Sequence, residues 1–495
     1  MHPKMLKNIV EELNVDIKGS IISKIHQPIT DGSNDTLVIF RLYGRGKDKN
    51  LLISADQFHS RMYLTKEKFE NPERPKRFCA FLRSRILNAR IEDIKHLEGE
   101  RIAEIQLSNV GEERTEAKLI IELTGKSGNI ILVDNDDTII DAMNYFDGEN
   151  KKNGEFSHEP EAHHTIDKRT VRPNEKLKPL NTVPNKESTK QLFEKTEGLS
   201  YNESAEAYYN ELISKDDFRR ESLRLISITK NAIKRVSRKV HNIEGDITKH
   251  AEALKSNDGE TLKANFHLLK KGLSEVEADD YSSGEAVKVK ISLDPALTPQ
   301  ENIDRAFKKQ KKAKASKNIL DKRLSEAKED LKFLEGSLVN IDNAETLEDL
   351  TSIRGELTEN GFIKQEAGKK VYSKKNETAD PIRVFESSNG IQILCGKNGK
   401  GNDLIVKKYG KKGDLWFHAN NCPGSHALLK LSKKTTDKDI SEAASIAAYY
   451  SKEKNNTRVE VMYTDIKNVS KPKGAKPGQV LVSQFKSVTV KPKLT

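Results

Sequence analysis

The sequence has little cysteine, few aromatic residues and no long apolar run. Its three cysteines, Cys79, Cys395 and Cys422, are far apart among 495 residues and form no CxxC pair. This argues against a disulfide framework and a cysteine-based zinc site. No segment approaches the roughly 18 to 20 consecutive apolar residues of a membrane span, and the N-terminus lacks the apolar run of a secretory signal. We therefore expect a cytoplasmic protein with no metal and no membrane contact.

Basic residues outnumber acidic ones. Lysine and arginine number 86 against 75 aspartate and glutamate, a formal net charge of +11. This excess favours a polyanionic partner, because cations that neutralise phosphates release counterions. A highly charged, solvated surface explains the numbers equally well. Charged residues make up 33% of the chain and hydrophobic residues only 35%, which suits long solvated helices better than a large enzyme core.

The first third of the chain alternates short β-rich segments with turns. Polar and apolar residues alternate along RIAEIQLS, as in a half-buried strand. The segment PERPKRFCAFLRSRILNARIEDI predicts a basic amphipathic helix. Its residues at helical spacing are Phe78, Phe81, Leu82, Arg85 and Ile86. We predict an α+β domain at 1–170, followed by a polar linker at 171–205.

Two later segments carry apolar residues at a mean spacing of 3.5. In the first these are Ile226, Ile233, Val240, Ile247 and Leu254, with Val236 and Ile243 between them. In the second they are Leu320, Leu324, Ala327, Leu331, Leu334, Leu338 and Ile341. This period allows knobs-into-holes packing. Because a non-periodic stretch separates the segments, we predict an antiparallel coiled-coil hairpin at 206–360 with its tip near 255–300. A parallel dimer is the alternative.

The last part of the chain predicts a second α+β domain at 381–495, after a basic linker at 361–380. Strands such as RVFES, IQILCG, LIVKK and RVEVMYT surround one helix, DKDISEAASIAAYYSKEK. From Ile466 onwards there are seven lysines and no acidic residue. So concentrated an imbalance favours a phosphate-facing surface over a solvated face.

The segment DLWFHANNCPGSHALLK, at 414–430, contains the only tryptophan and two histidines. The spacing of His418 and His426 suits neither a helical metal pair nor a closed zinc site. Ser425 and His426 are adjacent, and adjacent strand residues point to opposite faces, which argues against a nucleophile and its base. Two interpretations stay open: a core strand unit, or a rim that stacks on bases. Since KNGKGND and LTGKSGN both lack the phosphate-loop spacing, ATP use is not indicated.

Long, specific motifs occur in all three parts of the chain. The C-terminal part carries DLWFHANNCPGSHALLK and KNVSKPKGAKPG, the N-terminal third carries NPERPKRFCAFLR and LIIELTGKSGNIILVD, and the middle carries NFHLLKKGL and ISLDPALTPQENIDRAFKK. These motifs resemble those of the NFACT family over nearly the whole chain. The resemblance implies a glycosylase-like N-terminal α+β domain, a coiled-coil hairpin and a C-terminal α+β RNA-binding domain.

The resemblance also implies a role in ribosome-associated quality control. Family members bind the obstructed large ribosomal subunit that holds a peptidyl-tRNA, and bacterial members recruit alanyl-tRNA for mRNA-independent alanine tailing of the stalled chain. The ribosome makes the peptide bond, so no enzyme activity, catalytic residue or cofactor is expected. The implied tRNA-binding residues are Glu100, Arg101, Lys126 and Asn129. The implied RNA- or ribosome-binding residues are Asp414, Trp416, His418, Ser425, His426, Lys471, Lys473 and Lys476.

Two departures from the family pattern bear on this function. The family has an Asp-Arg pair where this chain has Glu100 and Arg101, and the extra methylene moves the carboxylate. Without the family, the two would be taken as an ordinary turn ion pair worth about 1 kcal/mol or less. The helix-hairpin-helix domain that usually follows the N-terminal domain is replaced by the polar linker.

Three alternative functions follow. One is a ribosome and tRNA binder that has lost tailing. The second is a fibronectin-binding adhesin, as some bacterial members are described. The third is a DNA glycosylase, which His2 and Pro3 disfavour because a catalytic N-terminal proline is not in place.

Overall fold

The computed structural model describes residues 1–28, 36–44, 46–146, 170–178, 193–255, 257–282, 284, 286–364 and 380–494. The chain divides into two compact units, Met1–Asp216 and Asp217–Thr495. Residues 179–192 of the linker predicted at 171–205, and residues 365–379 of that predicted at 361–380, lie outside the described residues.

The first unit is built on a nine-stranded antiparallel sheet in which each half follows a helix. The first half comprises α1 (Pro3–Ile17), β1 (Ile21–His26), β2 (Leu37–Gly44), β3 (Lys47–Ser54) and β4 (Arg61–Thr65). The second comprises α2 (Arg77–Ile86), β5 (Arg90–His96), β6 (Ile102–Val110), β7 (Thr115–Glu122), β8 (Asn129–Asp134) and β9 (Ile139–Ala142). The strand order is β4-β3-β2-β1-β5-β6-β7-β8-β9.

The helix predicted across PERPKRFCAFLRSRILNARIEDI is shorter than expected and begins at Arg77. It ends at Ile86, and Asn88 then adopts a positive φ of 68°. From Arg90 the chain forms β5, whose Ile91 and Ile94 are buried in the same core as α2. A helix prediction over these residues was therefore wrong, because the left-handed residue reverses the chain. The sequence analysis also missed α1, which buries one apolar face in this core.

The long helix α3 (Tyr201–Lys255) begins in the first unit and ends in the second. Its first turn is capped by Glu12 of α1, whose carboxylate accepts hydrogen bonds from the backbone N–H of Tyr201 at 2.6 Å and of Asn202 at 2.9 Å. The side-chain amide of Asn202 donates to the same carboxylate at 2.8 Å. Since the first N–H groups of a helix have no partner within it, Glu12 satisfies donors that are otherwise exposed to solvent.

The second unit contains the predicted coiled-coil hairpin. Helix α5 (Pro299–Asp342) returns along α3, and Val240 and Ile243 of α3 pack with Ala327 of α5 in one apolar cluster. Earlier residues of α3, such as Leu225 and Val236, pack with later residues of α5, so the arms are antiparallel. The hairpin prediction is confirmed. The side chain of Leu254, predicted in the seam, lies outside the described part.

The tip of the hairpin is a small α+β element. It comprises α4 (Asp258–Ala264), a 3-10 turn at Phe266–Leu268, β10 (Glu275–Asp280) and β11 (Val287–Ser292). The two strands form an antiparallel pair. Thr298 and Glu301 form a capping box at the start of α5, which stabilises the return. After α5 the chain adds α6 (Leu347–Glu359), which the sequence analysis did not predict.

The C-terminal part of this unit is a six-stranded antiparallel sheet of order β12-β13-β15-β14-β16-β19. Its elements are β12 (Ile382–Glu386), β13 (Gln392–Gly396), α7 (Gly399–Leu404), β14 (Leu415–Ala419), β15 (Ala427–Leu429), α8 (Asp437–Tyr449), β16 (Val459–Asp465) and β19 (Lys486–Val490), with β17 (Val469–Ser470) and β18 (Leu481–Val482) forming a separate pair. Helix α8 covers one face of the sheet. A π-helical turn at Ile405–Tyr409 contributes to the apolar cluster on the other. The strand predicted at LIVKK was therefore wrong.

Candidate nucleic-acid interfaces

At one end of the nine-stranded sheet, strand pairing brings Arg101 beside the turn that contains Lys126. The backbone N–H of Leu123 donates to the carbonyl of Arg101 at 2.8 Å. The Arg101 guanidinium donates to the carbonyl of Thr124 at 3.3 Å. Lys126 is exposed in the 3-10 turn Gly125–Ser127. Two of the four predicted tRNA-binding residues thus lie close together, where β6 begins and β7 ends.

The environment of Arg101 is partly desolvated. Burial lowers the pKa of its guanidinium, while the negative charge of Glu100 acts in the opposite direction. The backbone carbonyl of Glu100 contacts the His96 ring at 2.7 Å. Glu100 and Arg101 therefore influence each other electrostatically, and a partly desolvated guanidinium interacts more strongly with an anion than a solvated one.

Asn129 has a different environment from the other three. Its side chain is fully buried, and its amide donates to the carbonyl of Asn144 at 2.9 Å while its oxygen accepts from the backbone N–H of Asn144 at 3.0 Å. These bonds tie the start of β8 to the chain after β9. The geometry fits a bracing residue, and the tRNA contact of Asn129 stays a prediction.

The C-terminal aromatic residues form an interior cluster. The rings of Trp416 and His418 are stacked with centroids 5.8 Å apart, and the His426 ring meets Trp416 edge-on at 5.0 Å. Trp416 is only 1% exposed and His426 only 2%. The rim interpretation does not fit Trp416 and His426, because neither ring presents a face on which a base could stack; the RNA-binding role of Trp416, His418 and His426 stays a prediction. The core interpretation, left open above, describes these side chains.

The surroundings of the two histidines disfavour their positively charged form. Burial lowers the pKa of His418, and burial together with the neighbouring His418 lowers the pKa of His426 well below its ordinary value. Neutral imidazoles do not attract phosphate by charge. The indole N–H of Trp416 and Nδ1 of His426 are both buried without a hydrogen-bond partner among the described residues.

Asp414 and Ser425 are also buried and have local partners. The Asp414 carboxylate accepts from the Lys430 ammonium at 2.8 Å and from the backbone N–H of Lys411 at 3.0 Å. The backbone N–H of Ser425 donates to the carbonyl of Tyr450 at 3.0 Å. Both residues brace the loops around β14, and their RNA-binding role stays a prediction.

The lysines of the predicted phosphate-facing tail differ from one another. Lys471 pairs with Asp403, and Lys476 pairs with Asp330 of α5 at 2.7 Å while lying over two phenylalanine rings. Lys473 is exposed. Part of the positive charge of this tail is thus neutralised by carboxylates within the same unit, and its RNA contact stays a prediction.

Other exposed lysines near this region were missed. Lys407 and Lys408 lie on the π-helical turn, and Lys411 and Lys412 follow it, all exposed to solvent. The signal was present in the sequence as KKYGKK, but the segment was assigned to a strand. These side chains offer a nucleic acid more accessible charge than the buried histidines do.

Within the described residues, no helix is long and apolar enough to cross a membrane. The same part of the chain holds no cluster of three or more His, Cys, Asp or Glu side chains suited to a metal ion.

Comparison with known proteins gives matches along most of the chain. A family model described as the NFACT N-terminal and middle domains matches residues 4–202 and 155–377. A second, described as the NFACT protein RNA binding domain, matches residues 382–484.

Two curated relatives, each named Rqc2 homolog RqcH, are similar over nearly their full length. The protein of Bacillus subtilis is 29% identical over 561 residues, covering 98% of this chain and 96% of the relative. That of Streptococcus suis is 28% identical over 550 residues, covering 98% and 97%. A solved structure of the C-terminal part of the fibronectin/fibrinogen-binding protein from Streptococcus suis is 26% identical, with a TM-score of 0.44. The match covers 56% of this chain and 96% of the chain in that structure.

Proposed function

The chain belongs to the NFACT family, and from that premise we propose that it is a ribosome quality-control factor that binds obstructed large ribosomal subunits. The observation that carries the proposal is the near full-length similarity to relatives named Rqc2 homolog RqcH. The match of residues 382–484 to an RNA-binding domain supports RNA as the partner. The net charge of +11 is consistent with a phosphate-rich partner.

The finer part of the proposal concerns the tRNA. The factor recognises a subunit that still holds a peptidyl-tRNA and recruits alanyl-tRNA for alanine tailing without mRNA. The exposed ammonium of Lys126 and the half-buried guanidinium of Arg101 offer cations for tRNA phosphates where β6 begins and β7 ends. The ribosome supplies the peptidyl-transfer chemistry, so the chain positions substrates and is not itself an enzyme.

A binder without tailing is the principal alternative. Glu100 replaces the family aspartate, which moves the carboxylate outward by one methylene. The alignment with the Bacillus subtilis relative extends over 561 residues although this chain has only 495, so the relative has segments with no counterpart here. A linker at 171–205 in place of the helix-hairpin-helix domain is our proposal for one of these segments.

Sequencing the RNA that co-purifies with the tagged full-length chain tests the proposal. We expect enrichment of large-subunit ribosomal RNA over small-subunit RNA, together with one alanine tRNA. Large-subunit RNA without an elongator tRNA identifies the binder that has lost tailing. No enrichment of large-subunit RNA contradicts the proposal.

Variants within the same experiment locate the tRNA contact. Lys126→Ala removes an exposed cation, so we expect tRNA recovery to fall severalfold while recovery of large-subunit RNA is unchanged. Lys7→Ala, which removes an exposed lysine from α1, is the matched control. Equal tRNA recovery from both variants contradicts the assignment of Lys126.

A fibronectin-binding role is the other alternative. It is tested by passing the purified chain over immobilised fibronectin at physiological salt. Saturable binding there, combined with no enrichment of ribosomal RNA, favours the adhesin over the quality-control factor.

A further inference from the structure

A groove of about 880 Å³ lies between the two arms of the hairpin, away from its tip. Helix α3 provides most of its wall and α5 the remainder. Ile243 and Leu320 of the apolar seam lie at its base. Its positively charged lining residues are Lys234, Arg235, Arg238, Lys239 and Arg323.

The groove concentrates positive charge. Its lining has five cations and only two carboxylates, Asp246 and Glu326. Among the described residues, none of the five cations has an ion-pair partner within 4.0 Å. Elsewhere in the hairpin, by contrast, Lys328 of α5 pairs with Glu244 of α3 at 2.9 Å. The arms can therefore form ion pairs across the hairpin, but in the part of the chain that the structure describes the groove cations form none.

This arrangement is unfavourable for the isolated helix. Lys234 and Arg238 are separated by four positions, as are Arg235 and Lys239, so each pair places like charges on neighbouring turns. Such pairs destabilise a helix by about 0.2–0.5 kcal/mol each. An anion bound in the groove would remove this repulsion and stabilise the helix.

We propose that this groove binds the phosphate backbone of RNA, as a contact separate from the C-terminal RNA-binding domain and from the site at Arg101 and Lys126. Three of its cations are arginines, whose planar guanidinium binds phosphate through two parallel hydrogen bonds. The proposal rests on the proposed function, because it takes the ribosome-bound RNA as the partner. An acidic protein segment is the weaker fit, since the apolar residues at the base of the groove are largely buried by the opposite arm and offer little area to a hydrophobic anchor.

The test compares two full-length variants that each lose three charges. The groove variant carries Arg235→Gln, Arg238→Gln and Arg323→Gln, and glutamine is a good helix former. The control carries Lys308→Gln, Lys309→Gln and Lys312→Gln, at exposed positions of α5 that lie outside the groove and outside the C-terminal RNA-binding domain. The probe is a labelled RNA duplex of arbitrary sequence, about 20 base pairs long, titrated at several salt concentrations.

We expect the groove variant to bind the duplex at least about tenfold more weakly than the control at ~0.1 M salt. Its plot of log affinity against log salt concentration should be shallower by about 2 to 3, because each lost phosphate contact removes roughly 0.9 from the slope. A third variant, with lysine in place of the same three arginines, should recover most of the slope because it keeps the charge. Recovery by lysine excludes misfolding as the cause of weak binding.

Three outcomes overturn the proposal. The first is equal binding of the duplex by the groove variant and the control. The second is a salt slope that is the same for both variants. The third is a loss of affinity for polyglutamate, but not for duplex RNA, in the groove variant. Failure of the unaltered chain to bind isolated large subunits would instead contradict the proposed function, and that measurement is independent of the duplex titration.

Discussion

Glu356 of α6 is a buried carboxyl group whose partners lie in a distant part of the sequence. Its side chain accepts hydrogen bonds from the backbone N–H of Gly399 at 3.2 Å and of Lys400 at 2.7 Å. Burial raises the pKa of Glu356 to about 7, and these two hydrogen bonds only partly oppose the effect. The group therefore holds a proton in the folded protein at pH values where the unfolded chain has lost it.

This shift predicts a pH dependence of stability. Between the ordinary pKa of 4.5 and the folded pKa of about 7, the folded state binds more protons than the unfolded state, so the free energy of unfolding falls as pH rises. Below pH 4.5 the carboxyl group is protonated in both states, and the folded protein has its full stability. Above pH 7 the buried carboxylate is ionised, and the free energy of unfolding is lower by on the order of 3 kcal/mol. Glu356→Gln should remove the dependence, as measured by urea unfolding at several pH values between 4 and 8.

Glu359→Gln is the control for this experiment. Glu359 is exposed and pairs with Lys400 at the surface, so its substitution should leave the pH profile close to that of the unaltered chain. If Glu356→Gln and Glu359→Gln give the same profile, the carboxyl group of Glu356 does not titrate in this window.

At the level of single residues, the sequence shows which segments carry chemically distinctive side chains, but not whether those side chains are buried or paired. The segment around Trp416 was recognised as special, yet its burial depends on the π-helical turn and on the loop near Lys471, which cover that face of the sheet. Lys476 was predicted to contact RNA. Its ion pair with Asp330 could not be predicted, because Asp330 is 146 positions earlier in the chain. Periodicity cannot reveal contacts at such separations.

At the level of elements, α3 depends on a cap from another helix. Glu12→Ala removes the acceptor for three donors at the start of α3. We expect a loss of about 1–3 kcal/mol in the free energy of unfolding, with faster amide hydrogen exchange at 201–206. Glu11→Ala, which removes an exposed carboxylate from the same helix, should change neither quantity by more than about 0.5 kcal/mol. Unchanged exchange at 201–206 would show that water replaces the cap at no cost.

Elements with strong periodicity were predicted well. The spacing of Ile233, Val240 and Leu324 gave the two arms, and the hairpin follows because one chain segment must return along the other. Short elements were predicted poorly. LIVKK contains β-branched residues and was assigned to a strand, but the six-residue helix α7 that precedes it continues directly into the π-helical turn. Tertiary context overrides local propensity here.

At the level of the whole unit 217–495, the C-terminal sheet is attached to the end of the hairpin by polar contacts. Lys397 pairs with Asp349 of α6 at 3.1 Å, and Arg383 donates to the carbonyl of Asn343. Lys454 pairs with Asp342 at the end of α5. These contacts join segments on either side of residues 365–379, which is why no local pattern in the sequence predicted them.

The Lys397–Asp349 pair is the part of this attachment whose removal should be most costly. Its side chains are only 18% and 4% exposed, and Lys397→Met leaves a buried carboxylate without its cation. We expect a loss of about 3 kcal/mol in the free energy of unfolding, with hydrogen-exchange protection falling together in α6 and in the C-terminal sheet. Lys400→Met breaks the exposed pair with Glu359 instead, for which we expect less than about 1 kcal/mol. If Lys397→Met lowers protection in α6 alone, the hairpin and the sheet unfold independently, and these contacts do not couple them.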